Sequence, residues 1–352
     1  MDSSARNNFV GYNCMIPDGE SVQRCSRVDT RTMRDTASHG TSIVGLIARA
    51  MGGVNPNALI IPLALGPSLA VVCILRALRT ILVLQLGTAT PFQFATGMFT
   101  PRRVVLSYSL GTLFLPDIGL GVGAHSVWED MLPRLNAYNV DVVTSAGNDG
   151  PRAFVSNTSP QIDGGPDSKL IIVGATDASG FPTDATQFTP PRLALIDIYA
   201  IGQDVLVPWA EADFDVPGQS NRFTTVSGTS FAAPIVAGLL SMLIARQDVT
   251  GIVNNGVKAK DVLRNQAVNL KGRDWPNIEG YFIPRAATPW GLIACPQPAR
   301  PIKTMTSFSL QNVPTNVPDI AASAVTLNFA SYTVARPISY VFSILIRPMM
   351  LL

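Results

Sequence analysis

Apolar positions change their spacing along this chain, and each change predicts an element. From His39 the pattern is helical, with Ile43, Val44, Ile47 and Ala50 on one face. Leu59–Leu65 is a continuous apolar run of strand length, and residues 69–86 read as a helix. Residues 88–101 read as a loop, and residues 104–109 as a strand ending at Leu110 and Gly111. Val127, Trp128, Met131, Leu132, Leu135 and Tyr138 recur at helical spacing, with Pro133 expected to kink that helix or mark its first turn. Residues 140–144, 170–173 and 193–199 are apolar strands. Residues 230–244 form a strongly apolar helix, and 257–268 a shorter surface helix. The ends are less patterned. Residues 1–38 are polar and loop-like, 296–318 are rich in Pro, Thr and Ser, and 319–352 show no clean period.

Strands alternating with helices imply βαβ units, hence an α/β fold with a parallel sheet covered on both faces. The expected division is a folded region over residues 1–295 and an irregular tail over 296–352. With 47% hydrophobic and 14% charged residues among 352, a sizeable core is available. A net charge of +2 gives no case for nucleic acid or an anionic membrane. The only membrane candidate, residues 58–75, is interrupted by Pro62, Gly66, Pro67 and Ser68, and reads better as a buried strand plus helix. The polar opening MDSSARNNF lacks the apolar core of a signal peptide. Four cysteines without a CxxC pair argue against zinc. Cys14 and Cys25 are near enough to close a short loop in an oxidising compartment, and free buried thiols are an equal alternative.

Three strings carry candidate chemistry. Ser230, in Gly228-Thr229-Ser230-Phe231-Ala232-Ala233-Pro234, stands where an apolar helix begins. A serine there is commonly a helix cap. It is also a nucleophile position if a base is near, because free backbone N–H groups at a helix start suit a developing oxyanion. His39, in His39-Gly40-Thr41-Ser42, is one of only two histidines and is the candidate base. Asn148, in Ser145-Ala146-Gly147-Asn148-Asp149-Gly150, follows a buried strand. Its amide suits an oxyanion donor, and turn geometry is the plainer reading. His125 reads as a helix-start residue, and the glycines at 119, 121 and 123 lack the preceding strand of a dinucleotide site.

In their chain order, His39, Asn148, Ser230, the three strings resemble the subtilisin-like serine proteases (subtilases), with good matching from about residue 38 to 267. The resemblance implies a three-layer fold with a parallel sheet between helices, and a serine endopeptidase working through an acyl-enzyme. It implies Ser230 as nucleophile, His39 as base and Asn148 as oxyanion donor. It also implies that Ser107, Ser109, Leu110 and Gly111 pair with substrate backbone, and that Ser145, Ala146 and Gly147 wall the primary specificity pocket. The third triad member should be an aspartate before His39. Asp2 is the best match by spacing, although Ser4 stands where the family has glycine. Asp29 mimics the motif but lies only ten residues before His39. A strand should lead into Asp2, so the chain reads as N-terminally truncated, with two strand edges left unpaired at the sheet centre. The rival reading is a non-catalytic subtilase-like protein that binds peptides, or an inactive truncated product. A lipase-type elbow fails at Ala232, where G-x-S-x-G needs glycine. The resemblance further implies protein or peptide substrates, a monomer, an extracellular location and a pro-segment outside this chain. It requires no cofactor, allows calcium without identifying a site, and involves neither nucleic acid nor membrane.

Overall fold

The computed structural model describes residues 10–15, 24–29, 38–49, 52–65, 71–86, 104–150, 153–165, 167–178, 180–187, 195–209, 223–245, 259–265, 268–269, 284–285 and 340–346. The strands are β1 (Val10–Asn13), β2 (Ser26–Asp29), β3 (Leu59–Leu65), β4 (Val104–Tyr108), β5 (Thr112–Leu113), β6 (Val140–Ser145), β7 (Thr158–Ser159), β8 (Ile171–Thr176), β9 (Ile198–Ile201), β10 (Val205–Pro208), β11 (Phe223–Val226), β12 (Val268–Asn269), β13 (Pro284–Arg285) and β14 (Tyr340–Ile346). The helices are α1 (His39–Ala48), α2 (Val71–Leu86), α3 (Val122–Ala137), α4 (Thr229–Ala245) and α5 (Ala259–Asn265).

Ten strands form one sheet in the order β12-β13-β9-β8-β6-β4-β14-β3-β1-β2. Every pairing from β13 to β1 is parallel, and only the outermost strands β12 and β2 run antiparallel. Such a sheet needs cover on both faces, and the helices supply it. Alternation along β4 sorts the two cores. Val104, Leu106 and Tyr108 pack with Ile74, Leu78 and Ile81 of α2 and Trp128 and Leu135 of α3. Val105 instead packs with Ile43 and Ile47 of α1 and the Ala232-to-Leu243 stripe of α4. Ser107 therefore follows Val105 onto the α1 and α4 side. Pro133 lies inside α3, which continues through it from Val122 to Ala137. The membrane candidate is resolved into β3 and the start of α2, and among the described residues no helix is long and apolar enough to cross a membrane.

Two expectations change. Residues 1–38 are not all loop: β1 and β2 form an antiparallel pair, joined by a Cys14–Cys25 disulfide at its end. Cys73 is a buried free thiol. The residues expected as an irregular tail also supply β14, which pairs in parallel with β3 along seven residues and with β4 along four. The sheet centre, where unpaired edges were expected, is thus closed by a strand from the far end of the sequence.

α5 is fixed to the sheet by a buried ion pair. Lys260 Nζ lies 3.0 Å from Asp197 Oδ1, both side chains being 1% exposed. Both groups make a further hydrogen bond: Asp197 Oδ2 accepts the Ile172 N–H at 2.9 Å, and Lys260 donates to the Gly165 carbonyl at 2.8 Å.

Candidate active site

The candidate residues converge at the carboxyl ends of β4 and β6, the edge where parallel sheets place their ligand sites. Ser107 lies in β4, and Ser109, Leu110 and Gly111 continue from its end. Ser145 ends β6, and Ala146, Gly147 and Asn148 follow. Ser230 is the second residue of α4, and His39 is the first of α1.

Close packing of small residues brings α4 to this edge. Gly228 adopts φ +149°, and its N–H donates to the Gly202 carbonyl at 2.7 Å. A Cβ on Gly202 would stand 2.8 Å from the Gly228 carbonyl, so a side chain there would push the entry to α4 off the sheet. A Cβ on Gly228 would meet the Asn148 amide at 3.3 Å. Thr229 then ties α4 to the β6 loop. Its N–H and its Oγ1 both donate to Asn148 Oδ1, at 2.8 and 2.9 Å, and Oγ1 accepts the Gly147 N–H at 3.0 Å. A backbone N–H can only donate, so the atom facing Thr229 is the amide oxygen. Asn148 Nδ2 consequently points away from Thr229 and remains available as a donor.

Ser230 Oγ donates to the Ser109 carbonyl at 3.3 Å, which brings the helix start against the extension of β4. The His39 ring lies 5.6 Å from the Phe231 ring, centroid to centroid, so the starts of α1 and α4 share one corner. α1 is held there by Ser42, whose Oγ donates to the Pro208 carbonyl at 2.9 Å, and by packing of Leu46 with Phe231 and Val207. Phe231 thus serves as core beneath His39. Ser107 Oγ and Ser109 Oγ are buried without a hydrogen-bond partner among the described residues.

The backbone around Asn148 is equally constrained. Gly147 has φ +106°, and a Cβ there would collide with the Gln187 side chain. Gln187 in turn donates its N–H to the Gly147 carbonyl at 3.2 Å and its Nε2 to Asp149 at 3.3 Å. Tyr108 points to the other face, edge-on to Trp128 with centroids 4.7 Å apart, and burial pushes its phenol well above the usual range.

Asp2 lies outside the described residues. Asp29 does not fit the orienting role. It sits on β2, the outermost strand, opposite Val10, which begins β1; its backbone is therefore at the amino-terminal edge of the parallel strands. His125 belongs to a separate structural pair, with Nδ1 3.4 Å from Asp163 Oδ2 and its ring 4.3 Å from Phe114. Among the described residues no group of three or more His, Cys, Asp or Glu side chains is placed to hold a metal ion.

Two contributors have no local sequence signal. Thr229 reads as filler between Gly228 and Ser230 until its three hydrogen bonds are seen. Gln161 is buried and donates Nε2 to the Leu110 carbonyl at 2.9 Å, the Ser145 carbonyl at 2.7 Å and Thr144 Oγ1 at 3.2 Å.

The chain is similar to known proteins. A model of the subtilase family matches residues 17–281. Alkaline protease 1 of Aspergillus flavus is 26% identical over 248 residues, which cover 70% of this chain and 52% of that protein. Subtilisin-like protease 2 of Pseudogymnoascus destructans is 30% identical over 210 residues, 60% of this chain and 43% of that one. Alkaline serine protease ver112 of Corniculantispora psalliotae is 28% identical over 234 residues, covering 66% and 52%. The chain spans about half the length of the curated relatives it matches. A solved cold-adapted subtilisin-like serine proteinase is 19% identical, with 70% of this chain and 73% of that one covered and a TM-score of 0.47. With a family match running from before His39 to beyond Ser230, the chain belongs to the subtilase family.

Proposed function

We propose that this chain is the catalytic region of a serine endopeptidase, with residues 1–295 and β14 forming one folded unit. The observation that carries this is the Asn148–Thr229–Ser230 arrangement. It ties an amide with a donor to spare to the residue just before a helix-start serine, and that serine reaches the extension of β4.

In the proposed cycle a peptide lies along Ser107 to Gly111 and adds main-chain hydrogen bonds there. Ser230 Oγ leaves the Ser109 carbonyl and attacks the scissile carbonyl carbon, while His39 takes its proton. The carbonyl π pair moves onto oxygen, and the oxyanion is met by Asn148 Nδ2 and the Ser230 N–H. Collapse expels the amine, which receives the proton from His39 and leaves an acyl ester on Ser230. Water, deprotonated by His39, attacks that ester; collapse breaks the acyl–Oγ bond and frees the acid, and His39 returns the proton to Ser230 Oγ. Asp2 is the proposed orienting carboxylate for His39. The reaction needs no cofactor, and the substrates are proteins or peptides. The Cys14–Cys25 disulfide supports an oxidising, extracellular setting.

The test is a fluorophosphonate probe, which labels only an activated serine. Wild type should be labelled and should cleave casein, and Ser230→Ala should do neither while keeping its thermal transition. Equal labelling of the two proteins would remove Ser230 from the role.

A further inference from the structure

Ser159 carries a hydroxyl that the fold does not use. The residue is fully buried, and its Oγ has no hydrogen-bond partner among the described residues. The neighbouring hydroxyl differs: Thr158 Oγ1 donates to the Val155 carbonyl at 2.8 Å. Burying an unpaired hydroxyl is unfavourable, so Ser159 Oγ does not serve the folded state. It does complete a motif. Asn157-Thr158-Ser159 sets an asparagine two places before a hydroxyl residue with no proline between, the acceptor pattern for N-linked glycan. No other asparagine of the chain is followed two places on by Ser or Thr.

The surroundings of Asn157 suit a glycan. A short helical turn, Val155–Asn157, leads into β7. Its backbone is held, with the N–H donating to the Phe154 carbonyl at 2.9 Å and the carbonyl accepting the Phe114 N–H at 2.7 Å. The side chain is half-buried, makes no hydrogen bond among the described residues and reaches solvent with its amide. Around it lies exposed apolar surface. Leu113 pairs with Thr158 across β5 and β7, and Leu115 pairs with Leu120. Leu113, Phe154 and Leu120 are nearly half exposed, and Ile118 is 73% exposed. Grouped apolar side chains in water invite association between molecules.

We propose that Asn157 is an N-glycosylation site, and that its glycan covers the apolar surface beside β5 and β7. This rests on the extracellular setting proposed above, which takes the chain through a secretory compartment. Thr158 and Ser159 are buried once β7 pairs with β5, so transfer precedes that pairing. On the still extended segment a transferase reads the Ser159 hydroxyl. Asn157 Nδ2 bonds to the anomeric carbon of an oligosaccharide carried on a polyprenyl diphosphate. The bond from that carbon to the diphosphate oxygen breaks, the lipid diphosphate leaves with the electron pair, and one amide proton passes to a base of the transferase. Folding then buries Ser159 and leaves the bulky, solubilising sugar outside. Pro160, directly after the motif, narrows the conformations open to Ser159, so occupancy should be partial.

The experiment expresses the full chain in a eukaryotic host behind a cleavable secretion leader. Peptides are mapped by mass spectrometry after peptide-N-glycosidase treatment in heavy-oxygen water, which turns a glycosylated asparagine into a labelled aspartate. Labelled aspartate should appear at 157, together with a gel shift that the enzyme removes. Asn157→Gln and Ser159→Ala should abolish the shift, Ser159→Thr should keep it, and Pro160→Ala should raise the modified fraction. Because transfer precedes folding, precursor in the cell lysate is scored beside secreted protein, and a variant that misfolds still reports. Secreted Asn157→Gln should bind several-fold more of a dye for exposed apolar surface, with an unchanged rate of fluorophosphonate labelling. Wild-type chain without labelled aspartate at 157 would overturn the site, as would a shift that persists in Ser159→Ala. Equal dye binding by wild type and Asn157→Gln would overturn the covering role. An unmodified chain that still takes up the fluorophosphonate leaves the endopeptidase reading standing, and a modified chain that takes up none removes that reading and keeps the site.

Discussion

Asn148 Oδ1 accepts two hydrogen bonds from a single residue, Thr229, one from its backbone at 2.8 Å and one from its hydroxyl at 2.9 Å. Since Thr229 immediately precedes Ser230, the Asn148 amide and the Ser230 side chain are positioned by the same stretch of chain. Amide orientation follows from this contact, because a reversed Asn148 would set its Nδ2 against the Thr229 N–H, which can only donate.

Asn148→Ala should therefore act on the transition state more than on substrate binding. Loss of one such donor lowers kcat by roughly 10²–10³, a magnitude taken from subtilisin, a member of the same family. The measurement is steady-state kinetics on one peptide substrate. An effect confined to KM would assign Asn148 to binding or to the turn.

Thr229→Val separates orientation from donation. Valine keeps the backbone N–H and nearly the same shape, but it withdraws the hydroxyl that donates to Asn148 and accepts from Gly147. The Gly147 N–H is then left without its partner, at a cost of about 1–3 kcal/mol. Thermal denaturation should register that loss. kcat should fall by less than in Asn148→Ala, because the backbone contact still orients the amide. A variant as slow as Asn148→Ala would mean that the hydroxyl alone holds the donor in place.

The residues visible from sequence are those whose chemistry is local. His39, Asn148 and Ser230 each lie in a short string, and the structure brings all three to one sheet edge. The strands β3, β4, β6 and β8 and helices α1, α2 and α4 announce themselves because full burial makes them continuous apolar runs or regular stripes. β1 and β2 do not, since Val10-Gly11-Tyr12-Asn13 and Ser26-Arg27-Val28-Asp29 are short, mixed segments. Their pairing depends on a partner strand and on the Cys14–Cys25 bond. β14 is an apolar run like many others, and nothing local says that its partners lie near residues 60 and 105. Gln161 is the extreme case, a polar residue whose role is set entirely by the Leu110 and Ser145 carbonyls.

The Lys260–Asp197 pair should matter through desolvation. Both groups are buried, so Lys260→Met leaves the Asp197 carboxylate without its cation, and breaking such a pair costs about 3–5 kcal/mol. The double change Lys260→Met with Asp197→Asn removes both charges and should recover much of that loss, because the amide oxygen introduced at position 197 can still accept the Ile172 N–H. Urea denaturation of the two variants reads the difference. Equal destabilisation of single and double variants would show that packing, not charge, holds α5 to the sheet.

The sheet centre offers the sharpest structural prediction. β14 is held on both sides, by β3 over Leu59–Leu65 and by β4 from Val104 to Ser107. A proline cannot donate to such a ladder, and in a central strand it has no solvent-facing edge to occupy. Phe342→Pro should therefore unseat β14 and expose the edges of β3 and β4, a template for pairing between molecules. The expected result is loss of soluble protein or a shift to large aggregates in size-exclusion chromatography. Proline introduced instead at Lys303, outside β14, supplies the control for the residue type. If Phe342→Pro remained soluble and kept the wild-type thermal transition, β14 would not be the strand that closes the sheet. Fluorophosphonate labelling of any soluble Phe342→Pro fraction carries the test into the site. β4 ends at Tyr108, one residue before the carbonyl that receives Ser230 Oγ, so a displaced β14 should lower the labelling rate as well as the yield.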